Sequence, residues 1–212
     1  MRGVVVIPAL NEEQNIARII SEVSVFSEVI VVDDGSMDKT FTVAEKSGAK
    51  VLRLSENQGY DYALCEGFNF ARELGYEFFV TFDADGQLSI AELKNACEIL
   101  ANSKAELVIG VRADIGRWSE RLFNFWVKRR FDVGDILCGL KGYSKTLYDE
   151  YGKFTYAKSV GTELALFGLK QKYSLVVLPA TVVDRHGKSR FGGGIRGHAR
   201  ILVAMLRWQF RW

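Results

Sequence analysis

What is scarce in this chain narrows its possibilities first. Its 212 residues include three cysteines, two histidines and two prolines. Cys65, Cys97 and Cys138 lie far apart, match no zinc spacing and leave one thiol over in any disulfide scheme. That argues against a disulfide scaffold and for a reducing compartment. His186 and His198 have no carboxylate cluster beside them and are expected to be loop and helix-surface residues rather than metal ligands. No uncharged stretch, Tyr173 to Val183 included, approaches the roughly 18 to 20 apolar residues of a membrane-spanning helix. The first apolar run, Val4 to Ile7, is too short for a signal peptide and is soon followed by Asn11-Glu12-Glu13, so no cleaved leader is expected. The Gly-x-Gly-x-x-Gly turn of a dinucleotide oxidoreductase is also missing, because Pro8-Ala9-Leu10-Asn11-Glu12-Glu13 stands in its place.

Acid is missing from one region altogether. Residues 185–212 hold seven Lys and Arg and no Asp or Glu, which leaves 21 basic residues against all 26 acidic ones in residues 1–184. The net charge of +2 therefore conceals an acidic body and a basic tail, a pattern that points to a negatively charged partner. A hydrophobic content of 48% excludes disorder, and the length suits one domain.

Short apolar runs alternate with amphipathic stretches through the first half. Strands are predicted at Val4–Ile7, Val29–Val32, Val51–Leu54, Phe78–Phe82 and Leu107–Val111, and helices at Glu12–Phe26, Asp38–Ser47, Tyr60–Leu74 and Ile90–Leu100. Continuous β-branched runs separated by helices predict an α/β fold with a mostly parallel sheet covered on both faces. Further on, helices are expected at Trp118–Phe131, Thr146–Tyr151, Gly161–Leu169 and Ile195–Trp212. Strands are expected at Cys138–Tyr143, Leu175–Leu178 and Thr181–Val183, with a flexible segment at Gly187–Gly194.

In such sheets ligands bind beyond the carboxyl ends of the strands. Pro8-Ala9-Leu10-Asn11-Glu12, Asp33-Asp34-Gly35-Ser36 and Asp83-Ala84-Asp85-Gly86-Gln87 stand there. A single acid after a strand is often just a helix cap. Five acids converging on one edge repel each other unless a cation joins them. If Asp83 and Asp85 lie in an extended segment, their carboxylates share one side, spaced for one divalent cation such as Mg2+ or Mn2+ and the phosphates of a nucleotide.

Taken in order, these motifs resemble the inverting family-two glycosyltransferases of the GT-A fold, and among them the polyprenyl-phosphate sugar transferases of the dolichol-phosphate mannose synthase type. The resemblance runs through Val6 to Glu13, Val31 to Ser36, Asn57-x-Gly59 with Ala63 and Gly67, Phe82 to Gln87, Asp135-x-x-Cys138-Gly139-Leu140-Lys141, Glu163 and Gly187-x-Ser189-Arg190. It implies a metal-dependent hexosyltransferase with a Rossmann-like GT-A domain over residues 1–194. Pro8, Ala9, Asn11, Glu12, Asp33, Asp34, Asn57, Gly59, Asp83 and Ala84 would bind the nucleotide sugar. Asp83, Asp85 and Gln87 would hold Mg2+ or Mn2+, Asp135 and Glu163 would lie near the sugar and acceptor as catalytic residues, and Cys138 would be a small buried residue. Arg185, Lys188, Ser189 and Arg190 would close over phosphates, with Arg190 also counted as catalytic. The common pattern there is Arg-x-x-Gly-x-Ser-Lys, from which this chain departs: Arg185 is two before Gly187, and Arg190 stands at the lysine position.

The implied donor is GDP-mannose, with UDP-glucose equally compatible with the motifs. The implied acceptor is a polyprenyl phosphate, and a non-lipid acceptor stays open. Trp118–Phe131 interleaves aromatic residues with arginines and lysines, and Ile195–Trp212 is basic and amphipathic. Each either covers core or lies at a membrane surface. The second reading makes 195–212 a peripheral helix and places the enzyme on the cytoplasmic face of a membrane, with no nucleic-acid partner. A non-catalytic membrane-surface module would explain the basic regions but not the acids.

Overall fold

The computed structural model describes residues 1–156, 159–182 and 195–211. Its strands are β1 (Gly3–Ala9), β2 (Glu28–Asp33), β3 (Lys50–Arg53), β4 (Phe78–Thr81), β5 (Leu107–Arg112), β6 (Lys141–Ser144) and β7 (Leu175–Ala180), joined in one sheet of order β3-β2-β1-β4-β6-β5-β7. The helices among the described residues are α1 (Ile16–Val23), α2 (Thr40–Lys46), α3 (Tyr60–Glu73), α4 (Ile90–Ala101), α5 (Trp118–Phe131), α6 (Lys145–Tyr151), α7 (Glu163–Lys170) and α8 (Ile195–Arg211).

Every strand pair is parallel except those of β6, which runs antiparallel to both β4 and β5. Two reversals restore the direction. The carboxyl ends of β1, β2, β4 and β5 therefore share one edge with the amino end of β6.

Why the first strands read as unbroken apolar runs is plain from the packing. Val4 and Val6 enter the core layer with α3, α6 and α7, whereas Val5 and Ile7 enter the layer with α1 and α4. Both faces are covered, so alternation of polar and apolar residues is absent. Each such side chain contributes roughly 1.5–3 kcal/mol by leaving water.

Several expected boundaries move. The helix expected from Glu12 starts only at Ile16, because residues 12–15 form turns and Asn11 is left-handed at φ 51°. The strand expected from Cys138 begins at Lys141, and Asp83-x-Asp85, read as extended, lies in a tight turn over 84–86. Thr181–Val183 is not a strand of its own: β7 ends at Ala180, Val182 makes an isolated bridge to Leu88, and Val183 lies outside the described residues.

α5 and α8 pack on each other. Ile201, Ala204 and Trp208 of α8 are buried, with Trp208 edge-on to Trp126 at 5.1 Å. His198 is not the free surface residue expected. It stacks on Trp118 at 4.9 Å and shares a 2.8 Å hydrogen bond between its Nδ1 and the Ser119 hydroxyl. Leu122 and Phe125 on α5 and Val203 and Leu206 on α8 stay in water, and Trp118, beside His198, is more than half exposed.

Candidate active site

The sheet order turns at β1, whose neighbours β2 and β4 lead to opposite halves of the molecule. A crevice at such a switch point is the usual ligand site of an open α/β sheet. Two acidic turns flank it, one after β2 and one after β4.

On the β2 side the expected nucleotide residues form a cross-linked frame. The Asn11 amide donates to the Ser36 hydroxyl at 2.8 Å, and the Asn11 side-chain oxygen accepts from the Met37 amide at 2.8 Å. The Glu12 amide donates to Thr40 Oγ1 at 2.7 Å, while the Glu12 carboxylate accepts from Asn15. Asp33 is fully buried and accepts from the Ser36 amide at 3.0 Å, and its other oxygen lies 3.4 Å from Arg53 Nε. Asp34 accepts from the Gln58 and Gly59 amides at 2.7 and 2.9 Å. Burial raises the Asp34 carboxyl above its usual range and nearby Asp33 adds to that, against the two amides. Asp34 thus fastens the Asn57–Gly59 loop to the end of β2, with Pro8 and Ala9 beside it at the end of β1.

On the β4 side the arrangement is tighter. Asp83 Oδ1 accepts from the Tyr60 hydroxyl at 3.2 Å. Its Oδ2 lies against Gly139, where a Cβ would stand only 1.9 Å away. Asp85 Oδ1 accepts from the Gln87 amide at 3.1 Å, closing the turn, and Ala84 is buried beneath it. Burial, and then the charge of Asp85, push the Asp83 carboxyl up to about 6. A buried carboxylate next to a second one in the same turn, two residues before Gln87, is a donor set that fits a hard divalent cation. Among the described residues no group of three or more His, Cys, Asp or Glu could hold a metal, so phosphate and water oxygens would complete the shell.

Asp135 and Glu163 are both buried. Asp135 is fully buried, with Arg112 Nε at 2.6 Å, Arg112 Nη2 at 3.1 Å and Asn124 Nδ2 at 3.0 Å. Burial alone would raise this carboxyl, but the Arg112 guanidinium and Asn124 bring it below its usual range. Glu163 is also buried and accepts from Tyr151 and Thr155 at 2.5 Å each and from the Tyr156 amide. Both carboxylates are engaged within the fold. Arg185, Lys188, Ser189 and Arg190 fall outside the described residues, as does His186.

The structure adds one residue that the motifs did not contain, Arg112, and gives a place to one that they did, Lys141. Arg112 ends β5 at the same edge, held by Asp135 and by Glu120 at 3.1 Å. Its place after a parallel strand is the signal that could have found it. Lys141 opens β6 as a buried side chain whose Nζ donates to the Cys138 carbonyl at 2.6 Å. Burial lowers its pKa, against the pull of Cys138, Asp83 and Asp135.

Residues 4–152 match the model of Glycosyl transferase family 2. The chain belongs to that family. This family-two chain is 30% identical to the UDP-N-acetylglucosamine–dolichyl-phosphate N-acetylglucosaminyltransferase of Methanococcus voltae, over 84% of each chain. It is 29% identical to the undecaprenyl-phosphate mannosyltransferase of Micrococcus luteus, over 98% of this chain and 94% of the other. Its match to an uncharacterized protein of Methanocaldococcus jannaschii, at 36% identity, spans only 45% of that relative's length. Among solved structures, glucosyl-3-phosphoglycerate synthase from Mycobacterium tuberculosis, in complex with Mg2+ and uridine diphosphate, superposes with a TM-score of 0.74 at 20% identity, over 97% of this chain and 78% of that one. The fold is GT-A, and the chain is a glycosyltransferase.

Proposed function

We propose that this glycosyltransferase moves a hexose from a nucleotide-diphosphate sugar to a polyprenyl phosphate, inverting the anomeric centre, at the cytoplasmic face of a membrane. The observation that carries the donor side is the Asp83–Asp85 turn at the switch point, with its raised carboxyl. Asp83, Asp85 and Gln87 would hold Mg2+ or Mn2+. The cation, when bound, supplies positive charge to the diphosphate leaving group. The frame of Asn11, Glu12, Asp33, Asp34 and the 57–59 loop shapes the space for base and ribose. GDP-mannose is the favoured donor and UDP-glucose the alternative, and the Methanococcus voltae relative adds UDP-N-acetylglucosamine to the donors to be tested.

The acceptor's phosphate oxygen attacks the anomeric carbon as the bond to the diphosphate breaks. A phosphate monoester with a second pKa of about 6 is already ionised at neutral pH, so no strong base is required. That agrees with Asp135 and Glu163 being engaged elsewhere. Asp135 acts by holding Arg112, and Arg112 supplies fixed positive charge at the same edge, where preorganised charge is most effective. Arg185, Lys188, Ser189 and Arg190 are assigned to the phosphates on the resemblance. The apolar faces of α5 and α8, edged by Arg121, Lys128, Arg129, Arg200 and Arg207, suit an anionic lipid surface near the acceptor.

The decisive experiment incubates the protein with Mg2+ or Mn2+, each of the three donors and a short polyprenyl phosphate, and identifies products by mass spectrometry. Sugar transfer to the lipid phosphate is expected with one donor. Transfer only to water or to a soluble acceptor would overturn the lipid assignment.

A further inference from the structure

Asp83 meets its surroundings through a device that no motif announces. A carboxylate's terminal torsion is broad, so hydrogen bonding must set its orientation. Gly139 lets Asp83 come close but cannot turn it. The Tyr60 hydroxyl, at 3.2 Å from Oδ1, can. Tyr60 opens α3, and its ring is backed by Gly161, where a Cβ would lie 3.0 Å from Cε1.

That backing is itself held under strain. Val160 and Gly161 are both left-handed, at φ 56° and 69°. A β-branched residue in that region is an outlier that persists only where its surroundings impose it, and such outliers cluster at functional sites. Here the imposing group is Asp61, whose two oxygens accept from the Val160 amide at 3.0 Å and the Gly161 amide at 2.6 Å. Asp61 directly follows Tyr60. One turn of α3 therefore supplies both the hydroxyl that touches Asp83 and the clamp on the segment behind the ring.

We propose that Tyr60 is a positioning residue for the cation and diphosphate end of the site: its hydroxyl fixes the Asp83 carboxylate, and the Asp61-clamped Val160–Gly161 turn keeps its ring in place. This rests on Asp83 being a cation ligand. A tyrosine hydroxyl is a hydrogen-bond donor at neutral pH, as this contact requires. Removing a partner that orients a metal ligand typically weakens metal binding about 10-fold or more.

The test is direct Mn2+ binding to the full chain, followed by electron paramagnetic resonance with GDP or UDP present, together with the melting temperature. Tyr60→Phe keeps the ring and loses only the hydroxyl; it should raise the Mn2+ dissociation constant about 10-fold with the melting temperature unchanged. Gly161→Ala, which crowds the ring from behind, should shift binding in the same direction and serves as the second variant. Asp83→Asn should lose binding. If Asp83→Asn loses binding while Tyr60→Phe binds within twofold of wild type, the role of Tyr60 is overturned. If Asp83→Asn still binds Mn2+, or wild type binds none, the cation reading itself is overturned.

Discussion

Asp83 destabilises the metal-free fold whenever it is ionised. Its folded pKa of about 6 stands above the ordinary 3.8, so its contribution is favourable at low pH and is lost as pH rises through about 6. Asp83→Asn should therefore stabilise the metal-free protein at pH 7.5 by on the order of 1–2 kcal/mol, with no difference left below about pH 4. Urea denaturation at the two pH values measures this, and equal stability at pH 7.5 would count against it. Gly139→Ala should cost at least about 100-fold in kcat/KM, because its methyl would occupy the place of Asp83 Oδ2. Glu28 has the opposite sign. Lys50, Tyr76 and Arg2 hold its carboxyl at about 2 against burial, so its stabilisation is full above its ordinary 4.5 and lost as pH falls towards 2. Because the side chain is 39% exposed, solvent screening limits the loss in Glu28→Gln to about 1 kcal/mol at pH 7, which should shrink on acidification. At this scale the strand-end acids were legible because each follows an apolar run. Tyr60 and Asp61 were not, since their partners lie 23 and about 100 residues away.

For the elements, legibility followed covering. Strands buried on both faces are continuous apolar runs and stood out, whereas β6 did not fix its own start, because Cys138-Gly139-Leu140 shares its composition yet bends to clear Asp83. The antiparallel direction of β6 is a property of the sheet and not of its residues, which is why Lys141, though part of a quoted motif, received no place at the site from the sequence. α5 ends with Asp132 left-handed at φ 58°, its acidic side chain exposed beside the negative helix terminus. Asp132→Gly should raise stability by about 0.5–1 kcal/mol, a rise of roughly 2–4 °C per kcal/mol in the melting temperature. Scanning calorimetry would show it, and an unchanged or lower temperature would contradict the capping argument. α8 is anchored by Trp208, and Trp208→Ala should cost about 3–5 kcal/mol if that packing holds the helix to the body.

The whole molecule separates its charges in a way composition alone suggested but could not locate. Five acids, Glu12, Asp33, Asp34, Asp83 and Asp85, stand at the carboxyl edge of the sheet, and α5 and α8 carry exposed apolar residues beside basic ones. Replacing Leu122 and Phe125 by serine should leave the melting temperature within about 2 °C, since both are exposed, yet reduce binding to anionic vesicles about 10-fold. Vesicle co-sedimentation at low and high salt reads this, and retained binding would count against α5 as the proposed lipid-facing helix.

One of the chain's two prolines bears on how the crevice stays open. In β1 the carbonyl of Val6 accepts from Phe82 on the β4 side, and that of Ala9 accepts from Asp34 on the β2 side. Backbone groups in a parallel strand alternate between neighbours, so position 8 faces β4, just past the last paired residues, Val6 and Thr81. A residue there with an amide hydrogen would either continue the ladder or leave a donor stranded in the gap. Pro8 has none to offer. The sheet can unzip at that point without loss, and the fork between β1 and β4 is written into the backbone rather than held apart by side chains.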